Sequence, residues 1–287
     1  MKAIRVLVFS LLSLVVVLSS CDIINPPEDI PTFIKIDTFK VIVKDIDQGA
    51  ATHQITNCYL NVGGVNMGIL QMPFEIPCLE TGLQTVHIRP GIKLNGISAS
   101  RIDYPFFKPY IIDFELKRNE THLFSPETTY KEECIFAWKE NFEDAGLSIM
   151  YADYSNTTII SQKDVLRSGR YSGAIFVDEE DSLFEGYSTE FFELPQNGGP
   201  VLLELDYKNN NGFEIGMYFL EDGATEWFNL IYINPSDIWK RIYVDVGFYA
   251  SNNPTVDMFR MGIRVFHEAE SNEVGKVYLD NIKLIHF

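Results

Sequence analysis

Val201-Leu202-Leu203-Glu204-Leu205-Asp206-Tyr207-Lys208 alternates with a period of two. Leu203, Leu205 and Tyr207 share one face and Glu204, Asp206 and Lys208 the other, as in a strand with one packed and one polar side. The pattern recurs downstream. Phe213, Ile215, Met217 and Phe219 stand opposite Glu214, Gly216 and Tyr218, and Phe259, Met261, Ile263 and Val265 stand opposite Arg260, Gly262 and Arg264. Alternation sustained over so many segments predicts an antiparallel sandwich. No capped amphipathic helix long enough to build βαβ units interrupts it.

The upstream half also reads as β. Phe33 to Asp45 alternates, Thr56 to Val62 turns at Gly63-Gly64, Gly82 precedes Thr85 to Arg89, and two strands follow at Tyr110 to Leu116 and Glu120 to Phe124. Short strands broken by Gly and Pro at this spacing signal a second sandwich. Ser125-Pro126-Glu127-Thr128 marks a boundary between them. At 287 residues the chain is longer than one small domain usually holds.

The first twenty-one residues specify a destination. Lys2 and Arg5 precede an apolar run from Val6 to Leu18 that is too short to span a bilayer comfortably, and Ser19-Ser20-Cys21 follows. Leu18-Ser19-Ser20-Cys21 resembles a bacterial lipobox, which implies cleavage before Cys21 and lipidation of that cysteine. The expected organisation is therefore a signal peptide over 1–20, an extended stalk over 21–32 containing Pro26-Pro27, a β-sandwich over 33–125 and a second all-β domain over 133–287. The lipid would place the chain in the cell envelope, at the outer rather than the inner membrane. The net charge of −17 argues against nucleic acid and against an electrostatic hold on anionic lipid. Membrane attachment then rests on the acyl chains.

Tyr59 to Gly68, Met72-Pro73-Phe74-Glu75-Ile76 and Thr81 to Ile88 together resemble a PEGA-type, Ig-like domain, which implies a small β-sandwich used as a spacer or adhesive module. Asn141-Phe142-Glu143-Asp144, Ser168 to Ile175, Ile238 to Val246 and the closing Gly275 to Leu284 resemble galactose-binding-like jelly rolls, a class that includes many carbohydrate-binding modules. That likeness implies a jelly roll over roughly 134–287. The fold hosts sugar binding, protein binding and structural roles alike, so it does not settle the function.

An enzyme would need a catalytic constellation. Glu204-Leu205-Asp206 begins like a paired-carboxylate glycosidase strand, but Asn209 and Asn210 stand where the second glutamate belongs. The five histidines are scattered without zinc spacing, and no GxSxG elbow is present. The reading is a non-catalytic binding or scaffolding protein, with a glycan as ligand. A protein-binding part of a surface or secretion assembly is the alternative, and a glycan-active enzyme comes third.

The candidate ligand-binding residues are Glu204, Asp206, Tyr218, Trp227, Asn229, Arg260 and Arg264. They are expected on the polar side of their strands, where aromatic rings and planar polar groups suit a pyranose. The competing reading pairs Arg260 and Arg264 with Glu204 and Asp206 across the sheet. Trp138 and Trp239 are expected to be structural. Asp280 has the parity of Ile282 and Leu284, so its carboxylate is expected on the buried side of the closing strand. The jelly-roll resemblance places Glu143 opposite it, and the two would hold a structural calcium ion. The alternative leaves Asp280 accepting backbone N–H bonds and Glu143 exposed. Cys58 and Cys78 could pair as a disulfide in an oxidising compartment, or stay as buried thiols together with Cys134.

Overall fold

The computed structural model describes residues 28–221, 224–268 and 273–287. The lipobox with Cys21 lies outside the described residues. The chain is all-β: among the described residues one short α-helix, Gly247–Asn252, interrupts the strands, and no helix is long and apolar enough to cross a membrane.

In the first domain, Phe74–Cys78, Thr32–Ile36 and Thr121–Phe124 form one sheet, the last two running parallel. A second sheet orders Val65–Gln71, Asn57–Val62, Gly82–Lys93 and Arg101–Asp103, with Tyr110–Leu116 also on Gly82–Lys93. The two strands expected at 110–116 and 120–124, neighbours in sequence, thus join different sheets. The alternating burial of Thr32–Ile36 reflects Ile34 and Ile36 facing the core between the sheets.

Cys58 and Cys78 correct the disulfide expectation. Both thiols are free and buried, but they enter the core from different sheets. Each fills space as a small apolar side chain, and burial pushes the Cys58 thiol up to about 12.

The second domain is a two-layer sandwich. One sheet orders Ile159–Gln162, Ser172–Val177, Gly275–His286, Val201–Asn209 and Ser236–Asp245, with Ile135–Glu140 also paired to Gly275–His286. The other orders Ile149–Tyr151, Leu183–Ser188, Met258–Phe266, Phe213–Glu221 and Ala224–Ile233. Leu203, Leu205, Ile215, Met217, Phe259, Met261 and Ile263 meet between the layers, as their alternation demands. Trp138 is structural, stacked on Phe192 and donating its indole N–H to Ser148 Oγ at 2.9 Å.

Much of the outer face of the first of these two sheets is closed to water. Leu202, Tyr243 and Ile285 belong to the apolar core of the first domain, and the Tyr104 and Tyr243 rings lie 5.2 Å apart. Asn95 N–H donates to the Tyr243 carbonyl at 2.8 Å, and the Asp245 N–H donates to Asn95 Oδ1 at 2.9 Å. One domain therefore caps the polar side of the other's sheet.

Candidate functional site

The strand 201–209 puts Glu204 and Asp206 on that capped face, and both are fully buried. Asp206 Oδ2 accepts from Arg241 Nη1 at 2.8 Å and from Thr52 Oγ1 of the first domain at 2.6 Å. Glu204 Oε2 accepts from Arg241 Nη2 and from Tyr130 Oη, the latter at 2.9 Å. Arg241 is itself buried. Burial alone would lower its pKa, and Asp206 and Glu204 more than reverse the effect. Lys283 faces the same cluster, donating to the Ala50 carbonyl at 3.1 Å, and burial pulls its pKa down to about 8. Glu204 and Asp206 are thus removed from the ligand-binding set. They belong to an interdomain ion cluster, and Arg241, not Arg260 or Arg264, is their partner.

Asp280 joins the same cluster through a β-bulge. Glu204 pairs with Lys283 but Asp206 pairs with Asp280, so the closing strand carries one extra residue between them. Asn281 sits there at φ 53°. The extra residue turns the Asp280 carboxylate away from the side of Ile282 and Leu284 and onto the interdomain face. This corrects the side expected for it, because period-two parity does not survive a bulge. Its oxygens accept from Ser168 N at 3.1 Å and Asn281 N at 2.7 Å. Glu143 accepts from the backbone N–H groups of Arg170, at 2.6 Å, and Tyr171, at 3.0 Å. Among the described residues no group of three His, Cys, Asp or Glu side chains comes together as a metal site.

The other five candidates converge on the opposite side of the sandwich. Tyr218 pairs with Arg260 on one flank and with Trp227 on the other, Gly216 pairs with Gly262 and Asn229, and Arg264 pairs with Glu185. The indole of Trp227 lies flat on the two facing glycines. A Cβ on Gly216 would come within 2.4 Å of Trp227 Cζ2, and one on Gly262 within 2.5 Å of Cζ3. The Arg264 guanidinium sits over the indole, 3.9 Å from the ring centroid, and the Tyr218 ring meets its edge. Arg260 lies between Tyr187 and Phe191, 4.5 and 4.2 Å from their centroids, and donates to the Thr189 carbonyl at 2.8 Å.

Glu185 organises this face. It accepts from Arg264, Tyr218 and Tyr154. Burial alone would raise its carboxyl pKa, and these three donors hold it below the usual range. Burial also raises the Tyr218 hydroxyl, so that group stays a donor. Trp227 and Tyr218 are half-buried and Asn229 is exposed. The array presents rings, guanidinium groups and hydroxyls on one rigid sheet, a chemistry suited to planar polar ligands with an apolar face.

The solved structures that align with this chain include carbohydrate-binding modules and the enzymatically active domain of a bacteriophage CBA120 tailspike protein, the last at 16% identity and a TM-score of 0.36. A xylan-binding domain of family 22 aligns over 52% of this chain and 93% of its own, at 9% identity and a TM-score of 0.36. A family 11 module from Clostridium thermocellum, solved with a β-1,3-1,4-mixed-linked tetrasaccharide, aligns over 51% and 94%, at 12% identity and 0.37. A module described as promiscuous, from the β-sandwich superfamily, aligns over 79% and 84%, at 12% and 0.37. Identities and scores this low do not carry those ligands over to this chain. No protein-family model and no curated protein matches the sequence.

Sequence reasoning missed Glu185, Tyr187, Tyr154 and the role of the two glycines. A signal for two of them was present: Leu183–Ser188 alternates, with Glu185 and Tyr187 opposite Phe184, Gly186 and Ser188. Gly216 and Gly262 were legible as polar-side positions, but their pairing across strands was not.

Proposed function

We propose that this chain is a non-catalytic, lipid-anchored envelope protein whose second domain binds a glycan on the outer face of the sheet carrying Trp227. The observation that carries the reading is the indole laid on the Gly216–Gly262 pair and surrounded by Arg260, Arg264, Tyr218 and Glu185. In this reading a sugar packs against the Tyr218 ring and the rim of the indole, whose two faces are taken by the glycine pair and the Arg264 guanidinium. The sugar's hydroxyl pairs meet the guanidinium groups and Asn229. The burial of Glu204 and Asp206 against Arg241 supports a non-catalytic role, because the strand from which a glycosidase reading starts offers no solvent-facing carboxylate there.

A glycan array on the soluble chain tests the reading. Trp227→Ala is expected to weaken the strongest hit by about 1 kcal/mol or more, roughly fivefold upward, the scale of a lost aromatic contact. An array without hits, or binding that Trp227→Ala leaves intact, would overturn it and favour a protein partner.

Anchoring is the second part of the proposal and rests on the lipobox at Leu18 to Cys21. A Cys21→Ser variant is expected to leave the detergent-rich phase in a phase-separation assay. Full retention with membranes would refute the lipid anchor.

A further inference from the structure

The polar face of the sheet holding Glu204 is covered by the first domain over only part of its length. Beyond the covered part lies a cavity of about 650 Å³ lined by Lys208, Lys240, Lys276 and Tyr278, and by one carboxylate, Asp237. Lys208 and Tyr278 are direct cross-strand partners. Lys276 stands two residues before Tyr278 on the same side of that strand, whereas Lys240, the partner of Tyr207 on the edge strand, reaches the cavity around the edge of the sheet. A second cavity of about 350 Å³ shares Lys240 and adds Lys93 and Arg241.

Three observations set this cavity apart from a solvated lysine patch. Among the described residues, none of the three lysines of the larger cavity forms an ion pair, whereas Lys40, Lys108, Arg89, Arg170, Arg241 and Arg264 all do. The chain carries 40 acidic and 23 basic residues, so three unpaired cations around one concavity run against its overall charge. Ammonium groups around one concavity raise the local potential, which a bound anion relieves. The walls are also fixed in advance. Asn209 Oδ1 accepts from Ser236 N at 3.1 Å, and Asn210 Oδ1 accepts from Lys276 N at 2.6 Å, which ties the three strands together at the cavity.

We infer that this cavity binds an acidic saccharide, one bearing carboxylate or sulfate groups. Lys208, Lys240 and Lys276 hold the anionic groups, and the Tyr278 ring takes the apolar face of a sugar. Lysines act as compact point charges, so the site reads charge and spacing more than planar geometry. The volume exceeds what a single inorganic anion fills, and Tyr278 gives the ligand an apolar contact that an inorganic anion cannot use. This site lies on the opposite sheet from Trp227, so it is independent of the glycan reading given above.

Calorimetry on the full soluble chain tests it with three probes: an oligogalacturonate, a neutral cello-oligosaccharide of the same length, and inorganic sulfate. The oligogalacturonate is expected to bind, and its affinity to fall at least tenfold between 50 and 300 mM NaCl, as exposed charge pairs are screened. The triple variant Lys208→Gln, Lys240→Gln, Lys276→Gln is expected to lose at least tenfold in affinity with an unchanged melting midpoint. Trp227→Ala is expected to leave this binding intact. Inorganic sulfate competing at equal concentration would overturn the saccharide assignment. Oligogalacturonate binding that is absent, that the triple variant retains, that Trp227→Ala abolishes, or that the neutral cello-oligosaccharide equals would overturn the site.

Discussion

Arg241→Met should lower the unfolding free energy by about 3–5 kcal/mol, the cost of leaving buried charges without their partner. The Arg241 side chain is inaccessible, as are both carboxylates that it neutralises. Methionine keeps most of the volume, so the loss reports charge rather than a cavity. Arg167, 3.5 Å from Asp206, and Lys283 remain nearby, and neither replaces the paired contacts to both carboxylates. At about 2–4 °C per kcal/mol for a chain of this size, the thermal midpoint should fall by about 6–20 °C. Adding Glu204→Leu and Asp206→Leu to Arg241→Met should recover much of the loss, because apolar replacements of a whole buried ion cluster are often neutral or stabilising. A midpoint for Arg241→Met within 2 °C of wild type would contradict the ion-cluster account. Thr52, Tyr130 and Ala50 of the first domain contact this cluster, so the same variant should also loosen the packing of the first domain on this sheet, read as faster proteolysis of the full chain.

The second large effect depends on pH. Burial, opposed by hydrogen bonds from Ser168 and Asn281, moves the Asp280 carboxyl from 3.8 up to about 7, and the charge of Asp206 opposite pushes the same way. The native state therefore keeps a proton that the unfolded chain releases between about pH 4 and pH 7. The contribution of this group is fully present below pH 4 and is lost as the pH rises through 7. Asp280→Asn cannot ionise and should escape the loss. Relative to wild type, the variant should gain about 2–4 kcal/mol between pH 4 and pH 8, read as a difference in melting midpoint that grows with pH. A difference that stays constant across that range would show that Asp280 ionises in the folded state as it does in water.

Much of this protein was legible in its sequence because the relevant signals are local. Period two put Leu203, Leu205, Ile215, Met217, Phe259 and Ile263 in the core, and Glu204, Tyr218, Arg260 and Arg264 off it, before any strand was placed in a sheet. Trp138 read correctly as structural, and the absence of helix patterning gave the fold class. The array around Trp227 was half legible: Tyr218, Trp227, Asn229, Arg260 and Arg264 do share one face. Glu185, which holds that array together, lies on a strand whose alternation was present but unused.

Parity says which side of its own strand a residue occupies. It does not say which of two sheets the strand joins, or what covers that side. Glu204 and Arg264 have equivalent parity, yet they end on opposite outer faces, because the 201–209 and 258–266 strands enter different layers by pairings distant in sequence. Only the tertiary structure showed that one outer face is desolvated by the first domain, which turns a polar face into a buried ion cluster governed by Arg241. Only it showed the bulge at Asn281, where a single added residue reverses the side that alternation assigned to Asp280. Local alternation follows from backbone geometry within a strand, whereas burial of its polar side is decided by which distant surface excludes water from it.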